Sequence, residues 1–477
     1  MKYVENLAHL FTFGDDHILL DIHSGAVHWL SPQAYKVVQF WRREGCDLHG
    51  LPVLWQSLPA GEARGKLKSC GVDEARQLPP DELHEICDAL ADLIRDGLLM
   101  SPSTELEGYQ PPRDHVVKAL CLHAAHDCNL RCKYCFAGAG AFGGDRGLMP
   151  FETGKKALDF LFGASGGRKH VEVDYFGGEP LMNFPVIEKL ILYGEKESAR
   201  RGKVLKQTLT TNGVLLHGET LDFLNRHDVA LVLSLDGRKA VHDRMRPAVG
   251  GRGSYDTVLP HLRAAVESRG GQNYYIRGTY TAYNKDFFQD VRHMVESGFT
   301  QVSVEPVVAQ TGEGYAFRQE DLPALFLQYE QLAYYYLEKE KAGETFSFFH
   351  FNLDLDHGPC LPKRLSGCGA GHEYFAVSPD GILYPCHQFV GNADFALGDV
   401  DQGITKPEIG AMFRESHVLT KEKCMACWAR FYCSGGCHAN AWNHNQDLKE
   451  PYLLGCELEK KRLECAIWIK AAMYNSE

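Results

Sequence analysis

The sequence predicts an α/β protein: a partial (β/α)6 barrel of parallel strands, with a small winged-helix-like module before it and a cysteine-rich region after it. Three observations carry that expectation. Six strand-like apolar segments alternate with six helical patterns between residues 116 and 342. Strand-then-helix repeats of this kind build parallel strands joined by right-handed crossovers. Ahead of them, short alternating segments and two helical patterns fit into about a hundred residues. Behind them, regular periodicity weakens while cysteine, glycine and short strands take over.

Residues 1–102 open with HLFTFGDD, HILLDIHSG and AVHWLSP, separated by Asp-Asp and His-Ser-Gly turn signals. Helical patterns follow at 32–43 and 81–96, and GLLMSP at 97–102 predicts a closing strand. The stretch 103–115, STELEGYQPPRDH, is polar with two prolines and is expected to be a linker. In 116–342 the predicted strands are KALCLHAA, VEVDYF, VLKQTLTT, VALVLSL, YYIRGTYT and QVSVEPVV. The helical patterns fall at about 152–164, 184–200, 218–227, 256–268, 286–297 and 319–341. Six units are fewer than a closed barrel needs, and chemistry in such folds sits at the C-terminal strand ends. Residues 343–477 read as a region held by metal more than by a large apolar core.

Composition narrows the function. With 477 residues, 44% hydrophobic and 23% charged, the chain is expected to hold several domains. No apolar run is long enough for a transmembrane helix. The N-terminus lacks the pattern of a signal peptide, so a cytoplasmic protein without a membrane partner is expected. A net charge of −12 argues against nucleic acid as a partner. Sixteen cysteines then call for soft-metal chemistry, because disulfides are disfavoured in a reducing compartment. Cys46, Cys70, Cys87, Cys121 and Cys465 are scattered and read as small buried hydrophobes.

Directly after the first barrel strand comes Cys128-Asn-Leu-Arg-Cys132-Lys-Tyr134-Cys135. Three thiolates on one tight loop can each ligate one iron of a 4Fe–4S cube and leave the fourth iron open. The competing zinc reading normally asks for four ligands in C-x2-C pairs. This loop resembles the signature of the radical-SAM superfamily. The resemblance implies that S-adenosylmethionine chelates the open iron through its amino and carboxylate groups. An electron from the reduced cluster then breaks the sulfur–C5′ bond, and the 5′-deoxyadenosyl radical takes hydrogen from substrate. The later strand ends agree. Phe176-Gly177-Gly178-Glu179-Pro180 is similar to the family's motif for the S-adenosylmethionine amino group. Thr211-Asn212-Gly213 and Ser234-Leu235-Asp236-Gly237 follow the third and fourth strands. Ser234 and Arg246, with Arg244 as the neighbouring candidate, are expected at the carboxylate and ribose. Arg277, Thr279 and Glu305 would wall the pocket.

The second cysteine group also has specific spacing. Cys368 and Cys386 are followed by Cys424-x2-Cys427-x5-Cys433-x3-Cys437 and by Cys456. It resembles the SPASM domain of radical-SAM enzymes that modify peptides, which implies two auxiliary 4Fe–4S clusters. Cys424, Cys427, Cys433 and Cys456 would hold the outer one, and Cys368, Cys386 and Cys437 the inner one. Cys360 would close the inner cluster, or a substrate cysteine would bind its open iron. Zinc is the alternative for this region. The N-terminal module is similar to the leader-peptide recognition elements of peptide-modifying enzymes, which add the leader as an extra strand; a generic partner-binding winged helix is the other reading.

Together these parts most resemble maturases of six-cysteine (SCIFF-type, ranthipeptide) ribosomal peptides. The resemblance implies a radical-SAM oxidoreductase of the sactisynthase type. It would form a thioether in a Cys-rich precursor peptide with a leader, and draw electrons from a reductant such as flavodoxin or ferredoxin. The rival readings are an anaerobic sulfatase maturase making formylglycine, a carbon–carbon peptide cyclase and a non-enzymatic iron–sulfur carrier with a peptide-binding module. Sulfatase maturases typically carry an aspartate base where His387 stands here. Asp236, His387 and Glu305 are the candidate proton acceptors by type.

Overall fold

The computed structural model describes residues 1–57, 78–102, 109–111, 116–310, 312–355 and 361–474. Its N-terminal module is an antiparallel meander of β1 (Ala8–Phe13), β2 (Asp16–Asp21) and β3 (Val27–Leu30), covered by α1 (Pro32–Glu44), α2 (Leu51–Ser57) and α3 (Pro80–Arg95). Ser31 caps α1 by accepting a hydrogen bond from the Ala34 N–H, and Gly45 ends it in the left-handed region at φ 58°. Val37, Val38, Trp41, Leu83 and Leu90 form a core of their own with Leu19 and Leu30. The expected strand at 97–102 is absent: Gly97 at φ 71° and Met100 at φ 54° turn the chain there. Of the expected linker, only residues 109–111 are described; Tyr109 lies edge-on to His417, 5.7 Å away.

All six barrel strands form where periodicity places them. They are β4 (Ala119–Ala125), β5 (His170–Gly177), β6 (Val204–Thr211), β7 (Ala230–Ser234), β8 (Tyr274–Tyr280) and β9 (Gln301–Pro306), each parallel to the next. The helices α4 (Phe151–Ala164), α5 (Phe184–Arg200), α6 (Gly218–Arg226), α7 (Lys239–Met245), α8 (Tyr255–Ser268), α9 (Phe287–Glu296) and α10 (Leu322–Lys341) follow in turn. Alternation sorts the side chains. Leu120, Leu122, Val171, Val173 and Leu209 lie in the main core, and each contributes roughly 1.5–3 kcal/mol by full burial. Their neighbours Cys121, His123, Asp174, Phe176 and Thr210 have the opposite parity and line the lumen.

The C-terminal region is woven into the same sheet. A two-residue strand, β10 (Ser347–Phe348), pairs with β9. After α11 (Leu361–Ser366), β11 (Tyr374–Val377) pairs in parallel with β4, matching Tyr374 to Ala119 and Val377 to Leu122. The short strands β12 (Ile382–Tyr384), β13 (Gly398–Asp399) and β14 (Gly403–Ile404) extend that edge antiparallel. Five helices follow: α12 (Pro407–Glu415), α13 (Glu422–Met425), α14 (Arg430–Cys433), α15 (His438–Asn445) and α16 (Leu453–Tyr474). Helix α16 has 22 residues and no apolar stripe, because Leu458, Cys465, Ile467, Trp468 and Ile469 are buried around its circumference.

The N-terminal module docks on this region. Phe13 stacks on Trp468 at 4.1 Å, whose indole N–H donates to Asp16 at 2.9 Å. His9 stacks on Trp428 at 3.9 Å, and Arg430 donates to the Asn6 and Cys427 carbonyls. No helix of the described residues is long and apolar enough to cross a membrane.

Candidate active site at the barrel mouth

The loop after β4 carries Cys128, Cys132 and Cys135, and its shape is imposed from both sides. On one side Arg131 N and Lys133 N donate to the Pro247 and Met245 carbonyls, at 2.7 and 2.9 Å. On the other side the glycines of the Gly177-Gly178 motif press against it. Glu179 N donates to the Asp127 carbonyl at 2.8 Å. A Cβ on Gly178 would stand 2.2 Å from that same oxygen, and one on Gly177, at φ 131°, would stand 2.3 Å from the Ala125 oxygen. Gly140 closes over the backbone from above, 2.9 Å from the Asp127 carbonyl carbon by the same measure. So the backbone that these glycines let approach is first of all the chain's own cysteine loop.

Glu179 is fully buried. One carboxylate oxygen accepts from Leu181 N and the Thr211 hydroxyl, and the other from Asn212 N at 2.8 Å. Burial raises its pKa to about 7, against the pull of these donors. Three of roughly four acceptor positions are filled, and the remaining one is where a ligand ammonium would fit. Pro180 starts the 3-10 turn that follows. Asn212 donates to Asn129 at 2.7 Å and to the Cys128 sulfur at 3.7 Å, so it braces the loop from β6. Ser234 ends β7 beside Arg277, and among the described residues its hydroxyl makes no hydrogen bond.

Arg246 and Tyr134 share one partner that residue type alone did not reveal. Asp236 is fully buried; it accepts from Arg246 Nε and Thr279 N at 3.0 Å on one oxygen and from the Tyr134 hydroxyl at 2.6 Å on the other. The Arg246 guanidinium carbon lies 5.5 Å from the Tyr134 ring centroid. Among the described residues the two Nη groups of Arg246 make no hydrogen bond, which leaves a fork for a ligand carboxylate. Arg244 is exposed and stacks 3.7 Å over Tyr283, so it is not the equivalent of Arg246.

The candidate proton acceptors separate in the same way. Asp236 is committed to the pairs just described. Glu305 pairs with His350 at 2.8 Å and Arg462 at 3.5 Å. Burial would raise its pKa, but His350, Arg462 and Arg277 together hold it well below the usual carboxylate range. His387 lies between Phe136 and Phe176, with ring centroids 5.4 and 5.2 Å away. Burial, then Arg277, lowers its pKa to about 4, so its imidazole is neutral and does not hold a proton near pH 7. Asp174, absent from the sequence-based candidates, faces the lumen, where the Thr210 hydroxyl donates to it at 3.2 Å. Burial raises its pKa to about 7. Its inward parity in the VEVDYF strand was the available signal.

The C-terminal cysteines gather in two sets. Cys386 interacts electrostatically with Cys437 and Cys368, while Cys433 interacts with Cys424, Cys427 and Cys456. Burial raises every thiol pKa for which a shift is resolved. Cys128 rises to about 12 by burial and by nearby Glu179; Cys132 and Cys456 each rise to about 11, chiefly by burial. Backbone N–H groups nevertheless point at the sulfurs: Leu130 at Cys128, Ala370 at Cys368, Gln388 and Phe389 at Cys386, and Ala439 and Asn440 at Cys437. Thiols that resist ionising alone, yet meet backbone donors that stabilise a thiolate, fit the cationic iron core of a cluster, which would deprotonate them. Among the described residues no three His, Cys, Asp or Glu side chains converge on a single metal ion; a cube asks instead for one thiolate per iron. Cys360 and Cys70 lie outside the described residues. Cys87, Cys121 and Cys465 are buried as expected, whereas Cys46 is only half-buried.

Residues 124–297 match the family model of the Radical SAM superfamily. Those residues are similar to a radical-SAM domain. The chain is 23% identical to the serine-type anaerobic sulfatase-maturating enzyme of Klebsiella aerogenes, over 67% of this chain and 79% of that one. It is 25% identical to the antilisterial bacteriocin subtilosin biosynthesis protein AlbA of Bacillus subtilis, over 68% of this chain and 69% of that one. The structure of Streptococcus suis SuiB bound to S-adenosylmethionine shares the fold at 18% identity and a TM-score of 0.51, covering 94% of this chain and 98% of that one. The family match covers residues 124–297, and the fold likeness to SuiB spans most of both chains.

Proposed function

We propose that this chain is a radical-SAM maturase that closes a thioether within a ribosomally made, cysteine-rich precursor peptide. One observation carries the reading: a sheet module with an edge strand is docked on the C-terminal cysteines, through Arg430 bridging the Asn6 and Cys427 carbonyls. Among the described residues β3 pairs only with β2, and Trp29 on it is exposed. An edge of this kind can take an extended leader as a further strand. The relatives named for subtilosin biosynthesis and sulfatase maturation support a peptide substrate.

The residues divide the work. Cys128, Cys132 and Cys135 would hold the cluster, and Glu179, Asn212, Ser234 and Arg246 would orient S-adenosylmethionine over it. Bound together, cluster and cofactor supply a carbon radical that takes one hydrogen atom from a peptide C–H. The donor cysteine would give up its thiol proton as the S–C bond forms, and an auxiliary cluster held by the C-terminal cysteines would be the acceptor for the surplus electron. His387, set against Phe136 of the cysteine loop, would pass that proton on to solvent, because its lowered pKa does not let it keep one. Cys368, Cys386 and Cys437 would hold the inner auxiliary cluster, with Cys360 or the substrate thiolate completing it; Cys424, Cys427, Cys433 and Cys456 would hold the outer one. A flavodoxin or ferredoxin would reduce the enzyme.

Formylglycine formation is the second reading, favoured by the sulfatase-maturase relative. Mass spectrometry separates the two. The reconstituted, reduced chain is given S-adenosylmethionine and the short cysteine-rich peptide encoded nearest its gene. A thioether removes the mass of one dihydrogen per bond and one alkylatable thiol, whereas formylglycine made from cysteine replaces sulfur with an aldehyde oxygen. Unmodified peptide alongside abundant 5′-deoxyadenosine would count against both.

A further inference from the structure

Lys421 is an unusual buried cation. It is 1% exposed, and its ammonium donates to the Gly435 carbonyl at 2.9 Å. An ammonium carries three donors, and among the described residues no other acceptor for this one is found. Gly435 lies between Cys433 and Cys437, and Cys424 N donates to the Lys421 carbonyl at 2.9 Å, so the ammonium sits among the turns that carry these thiols. Lys421 interacts electrostatically with Cys424, Cys433 and Cys456 of the outer set, and with Cys437 and Cys368 of the inner set. The other ring groups facing it, His417 and His438, are kept towards their neutral forms by burial and by Lys421 itself. The nearby cation Arg430 differs, because its fork is taken up by the Cys427 and Asn6 carbonyls. Among the described residues Lys421 is thus the buried positive charge that both thiol sets share.

The geometry points to Lys421 as a positioning charge that raises the reduction potentials of both auxiliary clusters and so favours electron transfer onto them. This rests on the auxiliary-cluster reading above. Thiolate-bound iron–sulfur cubes are anionic, and reduction adds a further negative charge. A fixed cation in a low-dielectric interior stabilises the reduced form more than the oxidised one. Because it faces both sets, it acts on the whole exit path.

The test is a potentiometric titration of the reconstituted full chain, followed by electron paramagnetic resonance, with iron and sulfide analysis on the same samples. Lys421→Met removes the charge at similar length, and Lys421→Arg keeps it. With iron content unchanged, Lys421→Met is expected to shift both auxiliary potentials to more negative values and to leave the cluster on Cys128, Cys132 and Cys135 unmoved. Lys421→Arg should stay near the wild type. Unchanged auxiliary potentials in Lys421→Met, or an equal shift in Lys421→Arg, would overturn the assignment. Should Lys421→Met lose iron, Lys421→Gln takes its place; loss of clusters from both neutral variants overturns the tuning role in favour of an assembly role. Wild-type protein holding only one cluster's worth of iron refutes the auxiliary clusters themselves, a failure distinct from unchanged potentials in fully loaded protein.

Discussion

The Tyr134 hydroxyl donates to Asp236 at 2.6 Å, which ties the cysteine loop to the end of β7, a hundred residues further along the chain. The same carboxylate pairs with Arg246 at 3.0 Å. The two contacts differ in what their loss leaves behind. Tyr134→Phe removes a hydrogen bond to a charged group, worth about 1.5–3 kcal/mol. Asp236→Asn leaves Arg246 buried without a counter-charge, a defect of about 3–5 kcal/mol. Denaturant unfolding of matched samples should therefore rank Asp236→Asn as the more damaged. S-adenosylmethionine affinity should fall with it, as the Arg246 fork loses its anchor. Equal effects of the two substitutions would show that the ion pair is not what holds Arg246.

Gly178 tests how the loop is shaped. Its missing Cβ would sit 2.2 Å from the Asp127 oxygen, a backbone atom that cannot rotate away. Gly178→Ala must push the cysteine loop off β5. The expected result is loss of most cluster iron and of the visible cluster absorbance, while the far-ultraviolet circular dichroism persists. By contrast Gly163→Ala, in α4 with open space around it, should leave both intact and serves as the control.

Much of this was legible in the sequence because it rests on local rules. Alternation of strand-like and helical segments marked all six barrel strands, and cysteine spacing marked both thiol sets. What was not legible depends on distant partners. Asp236 is a plausible base by residue type, and only the fold shows it occupied by Tyr134, Thr279 and Arg246. Arg244 and Arg246 are two residues apart, and their different roles follow from which one faces Asp236. Helix α16 was missed because burial on all sides erases amphipathic periodicity. The pairing of β11 with β4 joins segments far apart in the chain, Tyr374 with Ala119, and nothing local announces it.

Asp174 predicts a pH dependence. Burial raises its carboxyl from 3.8 to about 7 in the folded chain. The folded state therefore binds the proton more tightly than the unfolded state does. The sign follows: this contribution to stability is complete below pH 3.8 and is lost as pH rises through about 7. A shift of this size corresponds to a cost on the order of 2–4 kcal/mol at pH 8. Asp174→Asn should therefore be more stable than the wild type at pH 8, with an advantage that shrinks steadily below pH 7 and vanishes only as pH falls below 3.8, measured by denaturant midpoint at each pH. A stabilisation independent of pH would place the cause in packing and not in ionisation.

The two C-terminal thiol sets predict separable losses. Cys433 is half-buried and interacts with Cys424, Cys427 and Cys456, while Cys386 interacts with Cys437 and Cys368. If the sets hold two cubes, Cys433→Ala and Cys386→Ala should each remove one cluster's worth of iron and keep the other two clusters. Both variants should still cleave S-adenosylmethionine without product, because Cys128, Cys132 and Cys135 are untouched. Cys132→Ala should do the reverse, keeping auxiliary iron and losing all cleavage. The α14 helix that carries Cys433 also carries Arg430, whose bonds to Asn6 hold the N-terminal module. Losing the outer cluster should therefore loosen that module as well. Hydrogen exchange at β1 should rise in Cys433→Ala and stay unchanged in Cys386→Ala. If both variants raised it equally, the link from the outer thiols to the N-terminal module would not run through Arg430.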